Sequence, residues 1–331
     1  VDASFFKERL SISFDMFHNQ TANMIVYEPL PSYAGFNYVI TNNGSMTTKG
    51  VEYSITGRII NKKNLKWDAG FNITANTNRI DNMPASSFVY SYGGASVISQ
   101  INSPAGLFFG YKTNGVYSTD AEAATAGLTK RQSDASYAPF KGGDVRFVDL
   151  NGDKVIDEKD KQIIGNPNPD FVGGFTNRVT YKAFTFEAVC TYAQGNDVYN
   201  SVRATLESQS SAYNQLKSVN NRWRTPGQIT NMPKAAWGDP MGNNLFSDRW
   251  IEDGSFFRIK SLSVSYDLPI KGKKTIKSVA VYAIANNLIT FSKYLGYDPE
   301  SYSAESGLAR GIDVGLEPQF KSVTFGIKMG L

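Results

Sequence analysis

The sequence has one cysteine, Cys190, and one histidine, His18, in 331 residues. A lone cysteine allows no internal disulfide, and a lone histidine excludes a zinc site built from several imidazoles. No apolar run approaches the roughly 18 residues that a membrane-spanning helix needs. Neither sign of charge dominates: 34 basic residues stand against 30 acidic ones, for a net charge of +4. The two signs are interspersed, which removes support for nucleic acid as a partner. The missing apolar run does not exclude a membrane β-barrel, whose strands alternate and keep mean hydropathy low. Aromatics, in contrast, are plentiful, with 21 Phe and 18 Tyr.

Alternation with period two recurs along the chain and marks strands with one apolar face. Leu10, Ile12, Phe14 and Met16 share a parity, as do Val51, Tyr53, Ile55 and Ile59. Trp67, Ala69, Phe71, Ile73 and Ala75 form another set, with Asn72, Thr74 and Asn76 opposite. Phe184 to Tyr192, Leu262 to Leu268 and Val323 to Leu331 repeat the pattern, and Lys182-Ala183 reads as a tight hairpin. The expectation is an all-β chain of about nine or ten antiparallel strands, several of them roughly nine to twelve residues long, the length of a tilted membrane strand. His18 falls beyond the first of these strands and reads as a surface turn. Some connections are tight, whereas 80–106, 118–170, 196–255 and 290–320 read as long loops. Short turns at one end and long loops at the other are the arrangement of an outer-membrane barrel. Trp67, Phe108, Phe109, Tyr181, Tyr192, Phe256 and Phe257, near strand ends, are candidates for its interfacial girdles.

One twelve-residue stretch carries metal chemistry. Asp149, Asn151, Asp153, Asp157 and Asp160 fall at positions 1, 3, 5, 9 and 12 of a calcium loop, and Val155 at position 7 would offer its carbonyl. Lys154 stands where an EF-hand places glycine, and Asp160 where it places glutamate. With no nucleophile or base beside it, such a calcium would be structural. The same Asp/Asn/Gly composition also suits a metal-free surface turn. Asp239, Asp248, Glu252 and Asp253 lie near Trp237 and Trp250, and loop packing is the preferred reading over a glycosidase pair. Gly93-Gly94, Gly142-Gly143 and Gly173-Gly174 lack the context of a nucleotide loop.

Taken in order, several segments resemble the C-terminal part of the SusC/RagA-like TonB-dependent transporters of Bacteroidetes outer membranes. They are Asn42–Ser45 with Thr48–Glu52, Trp67–Ile73, Asp149–Asp160 with Gly165–Pro169, Gly195–Asn200, Arg249–Ser255 with Arg258–Leu262, and Ala285–Phe291 with Gly296–Glu300. The resemblance implies an outer-membrane barrel of about 22 strands around a plug. It also implies TonB-driven import of an oligosaccharide or peptide, a SusD-like lipoprotein as lid, contact with membrane lipid and no catalysis. Residues 1–331 would be the later part of that barrel, with plug, leader and TonB contact lying elsewhere. An open sheet cannot sit in hydrocarbon with unpaired edges, so the missing strands would lie in another segment. Residues 145–165 would be a calcium-loop insertion in an extracellular loop. Trp223, Trp237, Tyr90 and Tyr92, in long connections, are candidates for contact with substrate or lid. The competing expectations are a secreted calcium-stabilised carbohydrate-binding β-sandwich and a secreted β-rich hydrolase.

Overall fold

The computed structural model describes residues 1–270, 276–300 and 307–330; Leu331, the last member of the alternating set, lies outside them. Nine strands pair in chain order into one sheet: β1 (Asp2–Phe5), β2 (Leu10–Pro29), β3 (Tyr38–Lys62), β4 (Leu65–Asn82), β5 (Phe171–Tyr181), β6 (Phe184–Gln194), β7 (Phe256–Asp267), β8 (Ser278–Ser292) and β9 (Ser322–Gly330). Every neighbour is antiparallel. The β5–β6 hairpin turns on Lys182-Ala183 as expected, with Lys182 at φ 53°. The outer strands β1 and β9 do not pair, so the sheet is an open wall.

Lengths divide the wall in two. β5, β6 and β7 have 11, 11 and 12 residues, within the expected range. β2, β3 and β4 run to 20, 25 and 18, well beyond it. His18 accordingly sits inside β2, paired with Lys49, and not in a turn. β4 ends where Asn82 meets Ser45, and above that level β2 and β3 continue as a two-stranded ribbon.

Register decides which side chains share a face. Phe325, Ala283, Val264, Phe186, Val179, Trp67 and Ile60 stand directly opposite one another across seven strands. One residue along, the other face presents Thr324, Ile284, Ser263, Glu187, Arg178, Asp68 and Arg58. Arg58 Nε and Asp68 Oδ1 lie 2.7 Å apart on that polar face. Directly opposite positions share a face because side chains alternate along every strand. The apolar face is uncovered: Val323, Phe325, Ile327 and Met329 are all exposed, Phe325 by 79%. A sandwich would bury that face beneath a second sheet, and among the described residues none does. The sandwich expectation is therefore set aside. Apolar side chains on one face and polar ones on the other are the division expected between lipid and a lumen.

Tyr192 illustrates the local fit. Gly173 pairs with Tyr192 and Ile73 on the apolar face. A Cβ there would collide with the Tyr192 ring and the Asn72 carbonyl, which accepts a 2.9 Å bond from the Tyr192 hydroxyl. Only glycine leaves room for the ring to lie across the strand. Of the other girdle candidates, Tyr181 and Phe257 are exposed on this face, whereas Phe256 points the opposite way, under the Arg258 guanidinium. Trp67 donates Nε1–H to Asn177 Oδ1 at 2.7 Å. Phe108 and Phe109 do not belong to the wall: they lie in the strand Leu107–Tyr111, and Phe108 is fully buried.

The division of faces has a direct test. Phe325→Arg is expected to cost about 2–4 kcal/mol of stability in lipid if the site is near mid-bilayer, whereas Thr324→Arg, on the polar face, is expected to be tolerated. The folded fraction in lipid vesicles, read by heat-modifiable gel mobility, checks this. Equal losses for both variants would contradict the assignment of faces.

The long connections are not structureless. Residues 83–170 hold the hairpin Ser87–Tyr92/Ala95–Gln100, the helix Asp120–Ala126 and several short strands, and 195–255 hold the helix Ser201–Leu206. Their apolar residues form two clusters. Val97, Phe108, Tyr199, Trp250 and Ile312 centre one; Tyr117, Phe140, Val145, Phe147 and Ile156 centre the other. The buried core therefore lies mainly in the connections, while the wall stays thin. Sequence pattern missed this because these elements span only two to seven residues each, too short for a periodicity to register.

Candidate functional site

All three long connections, 83–170, 195–255 and 293–321, leave the same end of the wall, and the tight turns at 6–9, 63–64 and 182–183 lie at the other. Side chains of the polar face meet the connections. Asn78 of β4 accepts a 2.8 Å hydrogen bond from the Ala105 N–H through Oδ1. Arg258 of β7, only 1% exposed, pairs with Asp298 and reaches Glu300 at 2.8 Å. The folded connections thus lie over the polar face and form a module at one mouth of the wall.

Between that module and β2–β4 runs a groove of about 600 Å³, lined by Phe17, Asn76, Asn78, Pro104, Asn168 and Asp170. Phe17, Gly50 and Asn76 form one register row on the polar face, and the Phe17 ring covers Gly50 so closely that a Cβ would collide with it. The far lip is the Gly165–Pro169 segment. Asn166 donates its N–H to Asp197 Oδ2 at 2.7 Å and accepts the Asn168 N–H and Nδ2–H at 3.0 and 2.9 Å. Burial pushes the Asp197 carboxyl up, and the Asn166 N–H partly offsets it. Amides, an aromatic ring and prolines, with Lys49, His18 and Asp170 among them, suit a ligand with many hydrogen-bonding groups, and no pair of opposed catalytic carboxylates is placed there among the described residues.

Above the groove the acidic residues near the tryptophans are all engaged. Glu252 takes Arg203 and the Leu295 N–H, Asp248 takes the Thr113 backbone and hydroxyl and pairs with Lys112, and Asp253 takes Ser255. Asp239 accepts the Asn243 and Asn244 N–H groups, while burial raises its carboxyl. Tyr294 donates to Asp313 at 2.6 Å, and burial, then Asp313, push its hydroxyl far up. These bonds serve loop packing, as the sequence reading preferred, and neither the hydrolase nor a glycosidase pair gains support from them.

The calcium-loop residues stay together, closed by their own hydrogen bonds. Asp149 accepts the Gly152 and Lys154 N–H groups at 2.7 and 3.0 Å, Asn151 Oδ1 the Asp153 N–H at 2.9 Å, and Asp153 the Val155 N–H at 2.9 Å. Fully buried Asp160 accepts from Leu150 and Asp157 at 2.9 and 2.8 Å, and Asp157 caps Lys159. Lys154 takes φ 67°, so the turn forms without the usual glycine. Hydrogen bonds from Val155 and Asn151 hold the Asp153 carboxyl below its ordinary range. The donors suit a hard cation in kind, and carboxylate oxygens keep further lone pairs for one. Among the described residues, however, no three carboxylate, imidazole or thiol groups converge as a metal-holding set.

The four aromatic candidates separate. Trp223 packs its ring against Gly142 and Gly143 and donates Nε1–H to the Ser118 carbonyl at 3.0 Å. Tyr90 and Tyr92 pack half-buried against the first cluster. Trp237 alone is open to solvent, 79% exposed. Sequence reasoning missed the exposed ribbon tip, where Ile25, Tyr33, Phe36 and Ile40 face solvent. Their apolar character was visible in the sequence, but that they extend past β4 was not. It also missed Phe17 and the asparagine lip, for which the alternation of Asn72, Thr74 and Asn76 was the available clue.

No family model matches the chain. It is similar to TonB-dependent receptor P3 of Formosa agariphila, 31% identical over 99% of this chain and 33% of that protein. TonB-dependent receptor SusC of Bacteroides thetaiotaomicron is 28% identical over 99% of this chain and 31% of its own length. Among solved structures, the RagAB peptide importer in its closed-closed state superposes with a TM-score of 0.77 at 24% identity, over 99% of this chain and 34% of that one. Its open-open state gives 0.76 at 23% identity. The chain thus spans about a third of the length of the curated relatives it matches. The relatives are named as receptors, and the fold is shared with part of an importer barrel.

Proposed function

We propose that this chain, SusC/RagA-like over 99% of its length, forms part of the wall and mouth of an outer-membrane TonB-dependent importer. The observation that carries the reading is the match, end to end, to proteins named as TonB-dependent receptors. The open wall, with its uncovered apolar face, supports it independently. In this reading the mouth module faces the exterior, because long connections of such barrels lie outside. The rest of the barrel, a plug and the TonB contact are supplied by other segments. The substrate is an oligosaccharide or a peptide, passed along the groove lined by Phe17 and the asparagines, without covalent chemistry. A SusD-like lipoprotein covers the mouth, and exposed Trp237 and the apolar ribbon tip are the surfaces offered to it. Large exposed apolar patches of this kind mark interaction sites.

Peptide mass spectrometry on the complex, extracted from outer membranes in mild detergent, tests the proposal. Co-purification of a plug, further strands and a lipoprotein is expected. Recovery of the chain alone in the soluble fraction would overturn it.

A structural calcium belongs to the same reading, supported by oxygen donors at positions 1, 3, 5, 7, 9 and 12 and by the left-handed Lys154. Asp149→Ala with Asp153→Ala is expected to lower calcium stoichiometry by one and to loosen only residues near 145–165, as read by metal analysis and hydrogen exchange. Retained calcium in the double variant would remove the assignment.

A further inference from the structure

Arg249 is a half-buried cation with no ion-pair partner among the described residues. It lines a cavity of about 570 Å³ in the mouth module, together with Arg203, Ser218, Asn221, Thr230 and Met232. Its guanidinium stacks on Trp250, 4.7 Å from the ring centre. Nη2 meets Met232 Sδ at 3.0 Å, and a thioether is a weak acceptor. Nη1 is closed off from solvent and has no acceptor.

The neighbouring acids are committed elsewhere. Arg203 takes Glu252 and lies 3.3 Å from Glu207, whose second oxygen accepts the Ser218 hydroxyl. Glu207, which also lines the cavity but is held by Arg203 and Ser218, and Asp239 act on Arg249 only through space, and among the described residues no carboxylate makes an ion pair with it. Arg258, more deeply enclosed, has two acid partners by contrast. Leaving a partly desolvated charge unpaired is costly, so this geometry favours an oxyanion at Arg249. A planar guanidinium held on an indole presents a fork that matches a carboxylate. Much of the remaining wall is uncharged, with Thr113, Asn221, Thr230, Asn231 and Leu295, and suits the uncharged part of a ligand.

We propose that this cavity is a carboxylate-binding site, with Arg249 as its anchor, for a small organic acid or the C-terminus of a peptide. The site stands apart from the Phe17 groove and does not depend on the importer reading, because it is tested by binding and not by uptake. The full-length protein in detergent would be titrated with 4-fluorobenzoate and 4-fluorobenzoyl-glycyl-alanine, and with the amide of each, by ¹⁹F NMR. At least one acid is expected to bind ten-fold or more tightly than its amide, and Arg249→Gln is expected to abolish that preference. Binding of the peptide acid alone assigns a peptide terminus, and binding of benzoate alone assigns a free acid. Equal affinity of acids and amides in the unaltered protein would overturn the proposal, as would an unchanged preference in Arg249→Gln. Should that variant fail to fold, 4-iodobenzoate soaked into crystals of the unaltered protein decides. Iodine within the cavity supports the site, and its absence overturns it.

Discussion

Arg258→Met is expected to release residues 294–300 and 307–320 from the wall, at a cost of about 3–5 kcal/mol, the range for removing one partner of a buried ion pair. Arg258 rises from the polar face of β7 and is almost fully enclosed, as is Asp298. Asp298 accepts from Arg258 and from the Glu300 and Gln319 N–H groups, the latter two at 3.0 and 3.1 Å. One carboxylate therefore ties both ends of the last connection to the sheet, and the variant strands its charge in a buried site. Limited proteolysis of the full-length protein, with cleavage mapped to 294–320, checks this. Removing the stranded charge as well, Arg258→Met with Asp298→Asn, is expected to recover part of the loss, since the amide oxygen is uncharged and still accepts a backbone N–H. Unchanged cleavage in the single variant would show that the pair does not hold the connection.

The same knot has a pH signature. Burial alone would raise the Asp298 carboxyl, but the bonds from Arg258, Glu300 and Gln319 outweigh it, and the net shift is downward. A carboxyl lowered in the folded state contributes stability above its unfolded value of 3.8, and loses it as pH falls through the lower folded value. Cleavage within 294–320 is thus expected to rise only in acid below about pH 4, with no change across neutral pH from this group.

Trp250→Ala is expected to cost about 3–5 kcal/mol, as for other large aromatics removed from a packed core. Its indole, 1% exposed, packs with Phe108, Tyr199 and Ile312, so one ring joins segments from all three long connections. Nε1–H bonds to the Leu245 carbonyl at 3.2 Å, and the Arg203 and Arg249 guanidiniums lie over the ring at 5.2 and 4.7 Å. Hydrogen exchange should show lost protection in 95–111, 198–206 and 309–313, while β5–β8 remain protected. Trp237→Ala, at an exposed position, should change stability by no more than about 0.5 kcal/mol. If the wall strands lost protection together with the module, the two would be one cooperative unit and not a thin wall carrying a separate core.

Much of the wall was legible because strand alternation is a local property. Phe184, Phe186, Ala188, Cys190 and Tyr192 share a face wherever the strand pairs, and Lys182-Ala183 marks the turn before them. The mouth was not legible in this way. Trp223 and Trp237 look alike in sequence, yet one packs on Gly142-Gly143 and the other faces solvent. The carboxylates of Asp149–Asp160 have calcium spacing, yet each is already bonded to nearby backbone N–H groups, so spacing alone did not reveal how the loop closes.

Sequence by itself determined the strand class, the apolar and polar faces, the tight turns and the kinship, because each is written in residues close together in the chain. Tertiary structure alone decided that the long connections fold into a core, that Arg258 pairs with Asp298, that Phe17 and Asn168 share a groove and that Arg249 makes no ion pair among the described residues. Those outcomes depend on segments tens to hundreds of residues apart meeting in space, and no local pattern encodes which buried charge finds a partner.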